Sequence, residues 1–359
     1  MKLKILHFHK GNYFKKYGGI ERMVYELATS LKNDCENTVI SVSDFEYENS
    51  IVNGVNFINF KKDFSFLGNP FSFKALVIFY KEQKNHDIIN LHYPDLNNDF
   101  LSLLTTKPIV LTYHSDIIGH SYLFNIYKFF RAIFFSTVSK MVFTSQNYLK
   151  STRQISDKIK SKCSVIPIGI SLLEKKSIEK NYSCDFFLVI CQMRKYKGLD
   201  ILFKLDTRNF NIIVIGGGDN LSKYREKAKK LKKNIEFLGD LPEREKNYYL
   251  KNCIAVISTS NKRSEAFGVS LVEGLMFAKP IVSRSNNTGS SMINTHGING
   301  FEYKDDDHNL LQEFVNTLFG DVALRKKMGL RSFNKYNKSF TSKKMAESYL
   351  QLYKDIVKH

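Results

Sequence analysis

No stretch of this sequence reaches the ~18 apolar residues that a membrane-spanning helix needs, so no transmembrane span is expected. Cysteine is scarce: Cys35, Cys163, Cys184, Cys191 and Cys253 are odd in number, widely spaced and lack a CxxC pair. This argues against a disulfide framework or a zinc site, and for reduced, mostly buried thiols. No secretory leader precedes the alternating apolar pattern at Met1–His9, which leads us to expect a cytoplasmic protein. Tryptophan is absent altogether, which decides nothing. Acidic residues are in deficit, 35 Asp+Glu against 54 Lys+Arg, for a net charge of +19. Such a surface favours polyanions: nucleic acid, anionic lipid headgroups or phosphorylated small molecules. Charge alone does not choose among them.

At 359 residues the chain exceeds the roughly 100–200 of a typical domain, so two domains are the natural expectation. Short β-rich runs alternate with segments of helical period. Lys4–His9, Thr38–Ser43, Val55–Phe60, Ile88–Tyr93, Ile109–His114, Met141–Ser145 and Ser164–Ile168 read as strands of a first sheet. Phe186–Cys191, Asn211–Ile215, Ile235–Leu238, Ile254–Ser258 and Pro280–Ser283 read as strands of a second. The charged, weakly apolar stretch near Gly169–Tyr182 marks the boundary. This gives domains at 1–170 and 171–340, with 341–359 as a terminal helix carrying Met345, Tyr349, Leu350, Tyr353 and Ile356 on one face. Strand–helix alternation implies parallel sheets covered on both faces, with ligands outside the carboxyl ends of the strands.

One stretch, Ser264 to Lys279, carries the chemistry. It follows the run Ile254–Ser258 and opens a helix that stops before Pro280. Unpaired N–H groups from Phe267, Gly268, Val269 and Ser270 would stand at the helix N-terminus, where the dipole also favours an anion such as diphosphate. Gly268 removes a side chain that would obstruct the approach. Glu265 lies just before the helix and Glu273 two turns in, leaning back toward its start. Two carboxylates flanking a phosphate-sized anion suit hydroxyl-rich groups on both sides of it. Glu265 alone is satisfied as an ordinary helix-start acid. Glu273, among Leu271, Val272, Leu275 and Met276, needs a partner.

Glu265, seven intervening residues and Glu273, in the setting SEAFGVSLVEGLMFAKPIV, resemble the E-x7-E signature of family-4 retaining glycosyltransferases. The likeness runs along nearly the whole chain. Gly18-Gly19-Ile20-Glu21-Arg22 resembles the family's N-terminal glycine loop, and Leu111–Asp116 its histidine-bearing strand end. Val165–Ile170, Ile215–Gly218 and Phe237–Gly239 also have counterparts. The resemblance implies the GT-B fold, two Rossmann-like domains facing across a cleft, with the terminal helix crossing back to the first.

It implies roles residue by residue. Glu265 would contact the transferred sugar and Glu273 the donor ribose. The amides at Phe267–Ser270 and the Gly18–Gly19 loop would cradle phosphate and nearby acceptor. Lys197, in RKYKG, would offset charge on the departing diphosphate. His114 would sit near the reacting sugar, and Leu241 would meet the base through its backbone. The family's usual Gly-Arg-Leu is here Cys191-Gln192-Met193, so a neutral glutamine replaces the customary diphosphate arginine. Arg194 or Lys195 is expected to compensate.

Other signals are weaker. His7 and His9 lack the carboxylates or thiols of a metal cluster, and the resemblance requires no metal or other cofactor. Asp305-Asp306-Asp307 reads as a helix start. Ile215–Gly218 lacks the spacing of a dinucleotide fingerprint, and Ser222–Lys233 reads as a solvated basic face. In Tyr122–Cys163, basic residues and phenylalanines suit either an anionic membrane interface or a core helix. TYHSDI, TSQNYLKS and RKYKG look closest to bacterial O-antigen mannosyltransferase-like members. The expected partners are thus GDP-mannose, or otherwise a UDP-hexose, as donor and a lipid-linked saccharide as acceptor at the cytoplasmic membrane face. A UDP-sugar epimerase of the same fold is the alternative. Nucleic-acid binding through the net charge is the third reading, and no aromatic-rich recognition motif supports it.

Overall fold

A computed structural model describes residues 2–15, 18–117, 122–172, 184–261, 265–285 and 288–358, the side chains of 122–126 excepted. Segment 173–183, where the sequence places the boundary, and Ser264 lie outside the described residues. The chain divides into two compact units, Met1–Ile170 with Thr341–His359, and Ser171–Phe340.

In the first unit the strands are β1 (Leu3–Lys10), β2 (Cys35–Ser43), β3 (Glu48–Val52), β4 (Val55–Lys61), β5 (Phe64–Phe66), β6 (Asn69–Phe71), β7 (Ile88–Tyr93), β8 (Ile109–Tyr113), β9 (Lys140–Phe143) and β10 (Cys163–Val165). Among the described residues, eight of them form a sheet in the order β10-β9-β8-β7-β1-β2-β4-β3, and β5–β6 stand apart as a hairpin. Seven of the eight run parallel, and β3 pairs antiparallel with β4. The central strands are buried on both faces: Ile5, Leu6, Phe8, Ile89, Leu91, Val110 and Leu111 are fully enclosed. That is why these runs read as continuous apolar stretches.

The second unit holds β11 (Phe186–Ile190), β12 (Asn211–Ile215), β13 (Ile235–Gly239), β14 (Val256–Ser258), β15 (Ile281–Arg284) and β16 (Gly300–Tyr303). They form one parallel sheet, β13-β12-β11-β14-β15-β16. Phe187, Leu202, Ile212, Val214, Val282 and Val315 form part of its core.

All twelve expected strands are present, with ends moved by up to three residues. β3, the β5–β6 hairpin and β16 are additional. β3 and β4 are joined by Asn53-Gly54, with φ of 51° and 79°, the left-handed pair a two-residue hairpin turn demands. At Gly300 a Cβ would lie 1.9 Å from the Ile281 carbonyl oxygen, so only glycine admits β16 beside β15. The terminal helix Ser342–Val357 packs on the first unit, where Tyr349 Oη meets Thr112 Oγ1 at 2.9 Å and Asn90 Nδ2 donates to Tyr353 Oη at 2.8 Å. Asp307 caps the helix His308–Gly320, its carboxylate accepting from the Leu310 N–H at 2.9 Å.

The stretch Tyr122–Cys163 resolves into helix Tyr122–Thr137, β9, two short helices and the start of β10. Its aromatics divide between the two environments: Phe134 and Phe135 are buried, while Phe129, Phe130 and Ile133 are exposed. Its neighbours share this habit. Phe64, Phe66 and Leu67 on the hairpin are exposed, as are Phe73, Val77 and Tyr80 on helix Phe73–Glu82 and Phe100, Leu103 and Leu104 on helix Asn97–Leu104. These elements touch. Phe64 lies 5.9 Å from Phe73 and Phe71 lies 6.2 Å from Phe100 between ring centres, and Tyr127 Oη donates to Asp99 at 3.0 Å. Among the described residues no helix is long and apolar enough to cross a membrane.

Candidate active site

The second unit brings its predicted residues to the carboxyl ends of β11, β13 and β14. Beyond β11 the chain makes a short turn, Lys195–Lys197, ended by Gly198 at φ 64°. A Cβ there would come within 2.4 Å of the Thr259 carbonyl oxygen, so glycine lets this turn dock on the loop after β14. Thr259 Oγ1 donates to the Lys197 carbonyl at 2.6 Å, and the Asn261 N–H donates to the Tyr196 carbonyl at 3.0 Å. This docking delivers Lys197 to Glu265, with which it forms an ion pair, and Ser260 Oγ donates to the same carboxylate at 3.2 Å. Burial alone would lower the Lys197 pKa, but Glu265, helped by Tyr196 and Cys191, turns the net shift upward. The lysine is therefore a cation at any neutral pH.

Glu265 is followed by Gly268 at φ 98°, the left-handed residue that starts helix Val269–Met276. Among the described residues the backbone N–H groups of Phe267, Gly268, Val269 and Ser270 have no acceptor; the first bond of the turn is Leu271 N–H to the Gly268 carbonyl at 2.9 Å. Four unsatisfied donors at a helix start, two to five residues from a carboxylate–ammonium pair, have the chemistry that suits an anion.

Glu273, buried within this helix, has the partner its apolar setting demands: Lys246 Nζ lies 2.7 Å from its Oε1 and 2.8 Å from Glu243 Oε2. Lys246 and Glu243 sit on helix Glu243–Asn252, and neither was singled out from the sequence. Their i,i+3 spacing gave a local hint; the pairing with a residue 27 positions on gave none. Leu241 is half-buried, two residues before that helix.

Gln192 Nε2 donates to Asp240 Oδ1 at 3.3 Å, and the same oxygen accepts the Gly217 N–H at 2.7 Å. The glutamine thus ties the end of β11 to the loops after β12 and β13. Arg194 and Lys195 are exposed, and their side chains make no ion pair among the described residues.

In the first unit Gly18 precedes helix Gly19–Ser30 with φ −126°, ordinary extended backbone. The Glu21 carboxylate lies against it: a Cβ on Gly18 would fall 2.0 Å from Glu21 Oε2, and one on Gly11 2.3 Å from Oε1, so a larger residue at either position would push this side chain aside. Glu21, three residues into the helix, folds back over both glycines in the manner of a capping-box acid. His114, just past β8, is buried and stacks on His92, with His114 Nε2 and His92 Nδ1 3.1 Å apart. Among the described residues no three His, Cys, Asp or Glu side chains are grouped to hold a metal ion.

Comparison with known proteins identifies the architecture. The profile described as Glycosyltransferase Family 4 matches residues 17–172, and that of Glycosyl transferases group 1 matches 172–335. An O-antigen chain mannosyltransferase C of Escherichia coli is 31% identical across 98% of both chains. The chain belongs to the family-4 glycosyltransferases. A D-rhamnosyltransferase, WbpZ, of Pseudomonas aeruginosa is 29% identical over 95% of this glycosyltransferase and 93% of its own length. Among solved structures, a glycosyltransferase from Rickettsia africae superposes with a TM-score of 0.75 at 20% identity, covering 100% of this chain and 99% of that one. Anabaena HepE in complex with UDP-glucose gives 0.75 at 16%, covering 98% and 100%. The fold is GT-B, two parallel-sheet units of Rossmann type, as the E-x7-E resemblance implies.

Proposed function

We propose that this hexosyltransferase moves mannose from GDP-mannose, or otherwise a hexose from a UDP-sugar, onto a lipid-linked saccharide in surface-polysaccharide assembly, with retention at the anomeric carbon. The observation that carries the donor half is the row of four unsatisfied N–H groups at Phe267–Ser270 beside the Lys197–Glu265 pair. The N–H groups and Lys197 receive the diphosphate and stabilise the charge it gains as the glycosidic bond breaks. Glu265 presents negative charge to the sugar as positive charge develops at its anomeric carbon. Glu273, fixed by Lys246, accepts from ribose hydroxyls, and the backbone at Leu241 lies against the base. Gln192 replaces a cation by an amide, and Arg194 and Lys195 supply charge from the adjacent turn. The Gly18–Gly19 loop and His114 serve the acceptor and the reacting sugar. These groups supply electrostatic stabilisation without a metal.

The mannose assignment rests on the E. coli relative, named for O-antigen mannosyl transfer. Residence at the cytoplasmic membrane face is supported by the exposed apolar groups of the hairpin and three helices in the first unit. Exposed Lys74 and Lys81 lie on helix Phe73–Glu82, Lys84 in the turn that follows it, and Lys128 on helix Tyr122–Thr137. Aromatics that enter the interface and lysines that meet anionic headgroups are what peripheral binding requires.

Two measurements test this reading. Transfer or slow hydrolysis is assayed across a panel of nucleotide sugars; a folded protein that turns over and binds none of them sinks it. Cosedimentation with phosphatidylglycerol vesicles should fall in a Phe129→Ser/Phe130→Ser double variant. Unchanged binding removes the membrane component.

A further inference from the structure

Four buried side chains run across the first unit's sheet in a single hydrogen-bonded line. His114 Nε2 faces His92 Nδ1 at 3.1 Å, His92 Nε2 faces His7 Nδ1 at 3.5 Å, and His7 Nε2 faces Asn37 Oδ1 at 3.3 Å. The rings stack, His92 on His114 at 5.4 Å and His7 on His92 at 5.8 Å between centres. The line passes from β2 through β1 and β7 to the residue after β8.

The direction of every proton in this line follows from its inner end. Asn37 Nδ2 donates to the carbonyls of Ala28 at 3.2 Å and Cys35 at 3.4 Å, which fixes the amide with its oxygen toward His7. An oxygen facing His7 Nε2 requires the proton there. Burial holds His7 at about 4 and His114 at about 3, and drives His92 well below the ordinary histidine value, so each ring is neutral and carries one N–H. Neighbouring His9 and His86 push the same way on His7, and His9 on His92 and His114. With one proton per ring, His7 Nδ1 is an acceptor, so His92 must donate through Nε2. His92 Nδ1 is then an acceptor in turn, so His114 must donate through Nε2.

We propose that Asn37, His7 and His92 are positioning residues that lock His114 as the Nε2–H tautomer, leaving Nδ1 as a lone-pair acceptor for a substrate hydroxyl. Among the described residues His114 Nδ1 has no partner. The inference rests on the reading that His114 meets the reacting sugar. It adds that this histidine receives a hydrogen bond and does not deliver a proton to the departing phosphate. Because the locking amide lies three side chains away, the state of His114 is set by residues that touch no substrate.

Histidine-selective 15N NMR of the full chain reads the tautomers directly. The expected result at pH 7 is Nε2–H on all three rings, with His114 shifting toward mixed tautomers in Asn37→Leu. Nδ1–H on His114 in the unaltered protein overturns the proposal. Kinetics supply the second readout. Glutamine at 92 offers an acceptor to His114 and a donor to His7, so His92→Gln should keep most of the turnover. His92→Leu should lose roughly 10–100-fold in kcat with little change in donor KM. If packing were the only role of His92, the apolar leucine would be the better tolerated, and that order contradicts the relay. If His114→Ala itself leaves kcat unchanged, the site reading has failed, while the NMR result still judges the relay.

Discussion

Glu273 and Lys246, 27 positions apart in the chain, form an ion pair inside the second unit with side chains only 4% and 12% exposed. Glu243, 7% exposed, shares the same ammonium. Lys246→Met removes the ammonium that two buried carboxylates share and should destabilise the protein by about 3–5 kcal/mol. Glu273→Gln leaves the lysine its other partner and should cost less. Urea unfolding of the two variants checks the order; equal losses would mean that Glu243 does not hold the lysine.

Lys197 and Glu265 make a second ion pair in the same unit, the one proposed to face the reacting sugar. Lys197→Met removes the cation paired with Glu265 and should lower kcat by about 10²–10³-fold, as removal of a preorganised charge-stabilising group does. Lys197→Arg keeps the charge and should recover part of the loss. Equal activity in the methionine variant and the parent would remove Lys197 from the mechanism.

Gly268 takes φ 98°, and a Cβ there would meet Leu271 Cδ1 at 3.3 Å. Gly268→Ala should cost about 1–2 kcal/mol from the left-handed backbone alone. It should also weaken nucleoside diphosphate binding, because the cradle's N–H groups move with that turn. Calorimetry with GDP and UDP reads the second effect apart from the first.

The buried histidines make stability depend on pH. His7 and His9 are held at about 4, His114 at about 3, and His92 well below the ordinary value, each chiefly by burial. Their folded-state values lie below the ~6.5 of an unfolded histidine, so below that pH the unfolded chain binds more protons. Their contribution is present above pH ~6.5 and is lost as pH falls toward the folded values, at about 1.4 kcal/mol per pH unit per ring. The melting temperature should therefore drop between pH 6.5 and 4.5, and more shallowly in His9→Gln. A flat profile would show that these rings are not neutral in the fold.

The central parallel strands, such as β1, β7, β8, β11 and β12, were legible because they are buried on both faces and read as apolar runs. The hairpin β3–β4 was signalled by Asn53-Gly54 and overlooked, since its exposed strand, Glu48–Val52, carries little apolar pattern. In the site, the need of Glu273 for a partner was visible among Leu271, Val272, Leu275 and Met276, but the identity of that partner was not. Long-range pairings such as Lys246–Glu273 leave no local period to read. The same holds for the histidine line: His7 and His9 stand out in one strand, whereas His92 becomes their neighbour only when β7 pairs with β1.

The account's central claim is that the Lys197–Glu265 pair and the Phe267–Ser270 cradle act on a nucleotide-hexose donor. NMR of the product formed from GDP-mannose and a polyprenyl-linked saccharide, with the unaltered enzyme and Glu265→Gln, tests it most directly. We expect an α-mannosyl product that keeps the donor's anomeric configuration, and turnover lower by at least about 10²-fold in the variant. An inverted product, or undiminished transfer by Glu265→Gln, would contradict it.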